Sequence, residues 1–557
     1  MWEDRSMKES PTTASDLLSE IQGLLELSGE NPFRIRAFEK AAKALSGRED
    51  LLERAKHGTL QELPGVGKGI EEILVEFLLH GKCSALEELR KSISPALFEL
   101  TQIPGLGPKK AKHLIEELGI SSRGELEYAC KENRLLRLKG FGEKAQKKIL
   151  EALALRASYE GYRKLSDVWE VAESLYREVS SKFPRLQISE TGSLRRRSEV
   201  LQSLEFIATL PADLENDLDL RARVEKYFSD FCETQNVLCP IQLKWVEPSE
   251  FVYEWVKTTA TDSHWEALGA PERARFLDLE SEDLFYAKLG MEWIPPETRE
   301  TGEEVGLARS GGLGQLLPWN GIRGVFHNHT AKSDGSATLE EVVSRAEELG
   351  MEYIGISDHS QSAFYAQGLK EEDLEAQYAE VQEVQARHPK IRIFWGIESD
   401  ILADGSLDYP SKILKRFDFV IASIHSRFNM DRETMTERIL NAVRHPATRF
   451  LGHPTGRLLL GRKGYDLDME AVIQEAARCD VAVELNSNPN RLDIDWRWGP
   501  VMRKYQTLTS INPDAHDLAG LEDTRYGIAM ARKALLPVGQ VLNSKSVQEV
   551  EKWLRRQ

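Results

Sequence analysis

Cysteine is scarce: Cys83, Cys130, Cys232, Cys239 and Cys479 are the five in 557 residues, far apart and without a CxxC pair. This excludes a disulfide framework and a closed cysteine cage for zinc, and leaves buried thiols in a reducing cytoplasm as the expectation. Long apolar runs are also missing, and the opening stretch MWEDRSMKESPTTASDLL holds no signal-peptide core, so neither a membrane span nor export is expected. Positive charge is not in excess. With 73 Lys and Arg against 90 Asp and Glu, the formal net charge is −17, which argues against a protein that coats nucleic acid with its whole surface. Local basic faces stay open, and carboxylates that hold divalent cations would account for part of the acidic excess.

What is present is an ordinary soluble composition, 41% hydrophobic and 29% charged, in a chain too long for a single core. The most informative stretch runs from Gly324 to Gly335, GVFHNHTAKSDG. An apolar pair, Val325-Phe326, ends in His327-Asn328-His329, with Asp334 shortly after. Residues two apart on a strand share a face, so His327 and His329 aim two imidazoles at one point, and the turn can add a carboxylate. Paired histidines at a strand end can also be plain polar surface. Later strand ends repeat the pattern, however: Asp358-His359 after YIGIS, Glu398 in IRIFWGIE, His425 after FDFVIASI, His453 after TRFLG, and Asp514-Ala515-His516 after LTSIN. These runs alternate with helix-like segments such as TLEEVVSRAEEL, which implies βα units and a parallel sheet whose C-terminal strand ends converge.

The N-terminal region reads as short helices separated by a repeated glycine turn: Leu63-Pro64-Gly65-Val66-Gly67, Ile103-Pro104-Gly105-Leu106-Gly107 and Leu138-Lys139-Gly140-Phe141-Gly142. Glycine allows a tight turn and leaves amide N–H groups bare at a helix start, where a phosphate oxygen can sit. Such contacts position a protein on DNA without reading sequence, and Lys109 and Lys110 stand directly behind the second turn. These segments resemble helix-hairpin-helix motifs. The DNA-contact candidates are Gly65, Gly67, Gly105, Gly107, Lys109, Lys110, Gly140 and Gly142. From about Leu165 to Arg299 the pattern is mixed α/β, with Gly192-Ser193-Leu194-Arg195-Arg196-Arg197 after a strand-like LQISET.

Together NPFRIRAF, the LPGVG turn, GSLRRR and LFYAKLGMEWIPPETRE resemble family X DNA polymerases. A glycine, a hydroxyl and arginines at the GSLRRR strand end suit a triphosphate, with Ser193 and Arg196 as candidates and a solvated basic turn as the alternative. The resemblance implies a nucleotidyltransferase-like palm with an Asp-x-Asp pair and a third aspartate. This chain departs from that pattern: the pair falls on Ser203-Leu204-Glu205, and the third position on Gln242. Two-metal phosphoryl transfer needs carboxylates bridging ions about 3.5–4 Å apart, which Glu205 alone cannot supply. The lysine used by the family's lyase activity falls on Ile73 by ungapped counting, so that chemistry is not expected either.

The segments HNH, SDG, DHS, GIE, SIHSRF, GHPTGR, ELN and DAH resemble, in order, the polymerase-and-histidinol-phosphatase (PHP) domain, a distorted (β/α)7 barrel. The resemblance implies as many as three ions held by His327, His329, Asp334, His359, Glu398, His425, His453, Asp514 and His516, with His327, His329, Glu398 and Asp514 at the catalytic centre. Mixed imidazole and carboxylate donors suit Mn2+ or Zn2+, with Mg2+ less favoured. Arg457 is a candidate phosphate clamp, with a structural ion pair as the alternative.

The expected architecture is multidomain: an all-α helix-hairpin-helix region (1–92 and 93–160), a degenerate α/β palm and thumb (161–300), a linker (301–320) and the PHP barrel (321–557). Front and back together resemble the bacterial PolX family, which implies DNA repair on gapped, 3′-recessed or abasic-site DNA. The implied chemistry is 3′→5′ exonuclease, abasic endonuclease or 3′-phosphatase work by the barrel. Alternatives are a small-molecule phosphatase of the histidinol-phosphatase type and a non-catalytic DNA scaffold. Primer extension with Mg2+ or Mn2+ checks the palm: little or no templated incorporation is expected.

Overall fold

Each glycine turn of the N-terminal region closes with the same pair of backbone hydrogen bonds. Leu63 donates to the Leu60 carbonyl and Val66 to that of Leu63, both at 3.1 Å; Ile103 and Leu106 repeat this, as do Leu138 and Phe141. Val66, Leu106 and Phe141 are buried, so the turn reverses with its apolar side chains inward. Gly65 and Gly140 take φ of 83° and 93°, a left-handed backbone that only glycine enters freely. Gly67, Gly107 and Gly142 then lead into helices Lys68–His80, Pro108–Leu118 and Glu143–Ser158. The structure is a computed structural model that describes residues 13–555 apart from 29, 46, 47, 49, 93–96, 98, 99, 102, 104, 105, 121, 132, 133, 139, 159, 160, 212, 215, 216, 236 and 238. Gly105 lies outside the described residues.

The chain forms two compact units, Met1–Glu160 and Gly161–Gln557. The first holds two hydrophobic cores, one built between Ala14 and Leu86 and one between Leu100 and Leu153. In the second unit, strands β1 (Gln187–Glu190), β2 (Leu204–Thr209) and β3 (Ile241–Trp245) form a small sheet with β2 at its centre. β2 is antiparallel to β1 and parallel to β3, with Glu205 directly opposite Gln242. Glu205, the one carboxylate kept, and Gln242, where the third aspartate is expected, are therefore neighbours.

Seven further strands follow: β4 (Gly324–Val325), β5 (Tyr353–Ile356), β6 (Arg392–Asp400), β7 (Phe419–Ser423), β8 (Thr448–Leu451), β9 (Ala482–Asn486) and β10 (Thr509–Asn512). They form one parallel sheet in sequence order. Its edges nearly meet, because the Phe326 amide donates to Asn512 Oδ1 (2.9 Å) and the His329 amide to the Ala515 carbonyl (2.8 Å). The result is a nearly closed seven-stranded parallel barrel. Among the described residues no helix is long and apolar enough to cross a membrane.

The expectation of a linker at 301–320 needs correction. Its glycines and charges read as a flexible tether, yet Glu303–Ser310 is a helix with Val305 and Ala308 buried. Glu304, fully buried, accepts from the Gly302 amide and pairs with His264 Nδ1 at 2.6 Å. The charge that suggested solvent is thus satisfied inside the protein. A single hydrophobic core also runs from Leu165 through Val541, so palm and barrel share one interior. At the first hairpin, a Cβ on Gly65 would press on the Ala41 backbone at 3.2 Å as well as hold a left-handed φ. Gly65→Ala is expected to cost about 1–2 kcal/mol, read as a lower thermal unfolding temperature of the intact chain.

Candidate metal centre

The interior of the barrel is built in layers by the period of two along each strand. Phe326, Tyr353, Phe394, Phe419 and Phe450 cluster as its floor, and the small Gly355 and Gly396 make room for the Phe419 ring. Two residues further along the same face, the side chains turn polar. Phe394 and Gly396 lead to Glu398 and Asp400 on β6, Phe419 and Ile421 to Ser423 and then His425 after β7, and Tyr353 and Gly355 to Ser357 and then His359 after β5. On these three strands the run that fills the floor also delivers a ligand-type group at the mouth.

All nine sequence-derived positions meet there. Glu398, almost fully buried, lies 3.2 Å from His327 Nε2, 3.0 Å from His453 Nε2, 3.3 Å from His425 Nε2 and 3.0 Å from His359 Nδ1. Asp514 Oδ1 lies 3.1 Å from His329 Nε2 and 3.4 Å from His327 Nε2. Asp334 faces His359 at 3.5 Å and His516 at 3.4 Å. The donor atoms sort into overlapping groups: His329, Asp334, His359 and His516; His327, His453 and Asp514; His327, His329 and Glu398; and His359, Glu398 and His425. His453 and Asp514 hold positive φ of 23° and 52°, a backbone cost that the surrounding fold must impose.

The donors fit a divalent cation. His329 Nδ1 and His453 Nδ1 are buried with no hydrogen-bond partner among the described residues. Each such atom costs about 1–3 kcal/mol if left so. Converging lone pairs on imidazoles and carboxylates are what an ion would satisfy.

Residues behind the ligands fix their orientation, and sequence reading missed two of them. Glu484 accepts from His327 Nδ1 (2.8 Å), and Asp400 accepts from His425 Nδ1 (2.7 Å), so that each Nε2 turns to the centre. Asp400 was findable as the residue two beyond Glu398, and Glu484 as the residue two before Asn486. Arg491 also reaches the site: its Nε lies 3.5 Å from Asp514 Oδ2. Arg457, the proposed phosphate clamp, instead pins a loop. Its Nε donates to the Arg491 carbonyl at 2.9 Å, and its guanidinium binds Asp495 and the Leu492 carbonyl. That is the geometry of the structural alternative.

The palm positions tell a different story. The Ser193 amide (2.7 Å) and hydroxyl (3.0 Å) both donate to Glu205 Oε2, and a Cβ on Gly192 would overlap that carboxylate. Arg195 forms a two-pronged pair with Glu282 at 2.7 Å, Arg196 pairs with Glu300 at 3.1 Å, and Arg197 with Glu190 at 2.6 Å. Ser203 is buried and Gln242 exposed, and neither adds a carboxylate. In the hairpins, Lys109 and Lys110 are exposed at the first turn of their helix.

A nearly closed parallel barrel with imidazoles and carboxylates gathered at its mouth defines a PHP domain, and the PHP domain family matches residues 326–487. A helix-hairpin-helix domain matches 12–83, and a SAM-like helix-hairpin-helix tandem matches 97–155. The chain is 32% identical to the DNA polymerase/3′-5′ exonuclease PolX of Bacillus subtilis (strain 168), over 97% of this chain and 98% of that protein. It belongs to the PolX family. Barrel-sized relatives include a probable phosphatase of Caldicellulosiruptor saccharolyticus, 30% identical over 36% of this chain and 83% of that protein. Another, from Caldanaerobacter subterraneus, is 26% identical over 41% of this chain and 89% of that protein.

Electrostatics give the centre a testable proton balance. Burial draws the His329 imidazole down to about 3, reinforced by the cationic neighbours His516 and His359. Burial would also lower His359 and His516, but the carboxylates beside them win: Glu398 and Asp334 push His359 up to about 10, and Asp334 and Asp514 push His516 up to about 9. At neutral pH both are protonated in the metal-free protein, and a cation must displace those protons. Mn2+ affinity should therefore rise from pH 7 towards pH 9. Calorimetry in buffers of different ionisation enthalpy should show proton release on loading. For the metal-free fold the sign is opposite: a raised imidazole stabilises fully below its unfolded pKa of about 6.5 and loses that contribution as pH rises through about 9 to 10.

Proposed function

We propose that this protein is a divalent-metal-dependent phosphodiesterase that removes nucleotides from the 3′ ends of DNA, and that its palm no longer polymerises. The observation that carries the reading is the convergence of nine donor side chains on one barrel mouth in a chain that also bears helix-hairpin-helix segments. His327, His329, Asp334, His359, Glu398, His425, His453, Asp514 and His516 would hold the ions, with Mn2+ or Zn2+ preferred over Mg2+. Bound there, the ions would supply Lewis-acid neutralisation of the phosphodiester charge. The protein's own part is placement. Glu484 and Asp400 fix the imidazoles, and a cavity of about 430 Å³ bordered by Asp514, His516, Asn488 and Asn490 offers space for a terminal nucleotide. The B. subtilis relative's name, with its 3′-5′ exonuclease, supports the polarity.

Loss of polymerisation rests on the palm geometry. The turn expected to cradle a triphosphate already carries the Glu205 carboxylate, and its three arginines each have a carboxylate of their own. Glu205 has no acidic neighbour at Ser203 or Gln242 with which to share an ion pair of metals. A second reading, hydrolysis of a small phosphomonoester, draws on the probable phosphatases that match the barrel.

A 3′-recessed DNA duplex and a phosphorylated metabolite, offered with Mn2+, separate the two readings, and faster turnover of the DNA is expected. Removing an outer partner of a metal ligand costs about 10–100-fold, so His329→Ala and Asp514→Ala should each lose at least about a hundredfold. Undiminished nuclease activity in both variants would reject the assignment.

A further inference from the structure

The turn that resembles a triphosphate cradle does not end at Arg197. The next residues, Ser198 and Glu199, run into the barrel. Glu199 is 6% exposed and accepts from Trp496 Nε1 at 3.1 Å and from the Arg497 guanidinium at 2.6 Å. Its carboxyl is held down to about 2: burial would raise it, but Arg497, Lys533 and Arg457 outweigh that. A two-residue ladder pairs Lys164 with Val200, and Lys164 Nζ donates to Asn490 Oδ1 at 2.6 Å. Buried Lys533 ties the same region down, donating to the Arg196 carbonyl at 2.8 Å and to Glu300. The palm therefore grips the segment from Asn490 to Arg497 at both ends.

That segment touches the metal centre. Asn486 pairs with Asp493 across its base, and Asn486 Nδ2 donates to Asp514 Oδ2 at 3.1 Å. Arg491 Nε stands 3.5 Å from the same oxygen. With Oδ2 occupied, Oδ1 is the atom presented to His327 and His329. Asp493 also accepts from the Thr455 amide and hydroxyl, which sets the backbone just after His453.

From this geometry we propose that Glu199 is a positioning residue for the phosphoesterase centre: by holding Trp496 and Arg497 it fixes the Asn486–Arg497 loop and so aims Asp514. The eroded nucleotide turn has become a strut for hydrolysis. The inference rests on the metal-centre reading, yet part of its test needs no catalysis. Mn2+ affinity and hydrogen exchange of the 486–497 loop are measured on the intact chain for wild type, Glu199→Ala, Glu199→Gln and Trp496→Phe. Trp496→Phe keeps a ring in the core and removes one donor, which covers the case in which Glu199→Ala fails to fold. Expected are faster loop exchange and weaker Mn2+ binding in Glu199→Ala and Trp496→Phe, with Glu199→Gln intermediate because it keeps an acceptor oxygen. At saturating Mn2+, kcat on 3′-recessed DNA should fall about tenfold, as for an outer partner of a ligand, with KM little changed. Wild-type Mn2+ affinity and loop exchange in Glu199→Ala or Trp496→Phe would overturn the proposal. A wild-type protein that binds Mn2+ but leaves DNA intact would sink the nuclease reading instead, while the affinity comparison still decides Glu199.

Discussion

A single carboxylate, Glu398, is the constraint on which the rest of the barrel depends. It is buried and lies within 3.0–3.3 Å of nitrogens from His327, His359, His425 and His453. A buried anion is tolerated only among cations or strong donors, because its solvation is lost and weakly replaced. A neutral imidazole offers it a single N–H, whereas imidazolium or metal ions offset its charge as well. Each of those histidines comes from a different strand end, so the demand of one carboxylate fixes the approach of four elements. β6, from Arg392 to Asp400, carries Glu398 and pairs on both sides, with β5 and β7. The most crowded carboxylate thus sits on a strand held from both sides.

The palm shows the same chemistry with the opposite outcome. An anion seat made by the Ser193 amide and hydroxyl is kept, but the anion is the protein's own Glu205. Arginines that would meet a triphosphate are paired with Glu282, Glu300 and Glu190. Such pairs, mostly removed from solvent, are costly to break, because either partner left alone would be a buried charge. Ser203 and Gln242 add no carboxylate beside Glu205, and the chain just after the turn contacts the barrel through Glu199, which accepts from Arg497.

Much of this was legible in the sequence because it depends on local periodicity. His327 and His329 share a face by the spacing of a strand, and the apolar-Gly-apolar-Gly turns announce themselves by repetition. Fold class and all nine donor positions followed from strand ends and motifs. Residues that act at a distance were not legible. The spacing of Glu484 and Asp400 from Asn486 and Glu398 marks their face of the strand, but their roles arise only when the barrel brings Glu484 to His327 and Asp400 to His425. Arg457 looked like a phosphate clamp because it follows the ligand-type His453 by four residues and a guanidinium suits phosphate. Its partner Asp495 and the carbonyls of Arg491 and Leu492, which claim its donors, lie more than thirty positions away.

The stretch 301–320 marks the boundary most clearly. Composition favoured a tether, since glycine and charge resist burial when considered alone. In the fold, Glu304 meets His264, and Val305 and Ala308 find an apolar surface, so the same residues form a packed helix. By itself the sequence determined which donor groups the chain brings to one face, because residue type and strand period are local properties. The tertiary structure alone decided which charges would be free to perform it, because a buried charge is governed by whichever partner folding brings within a few ångströms.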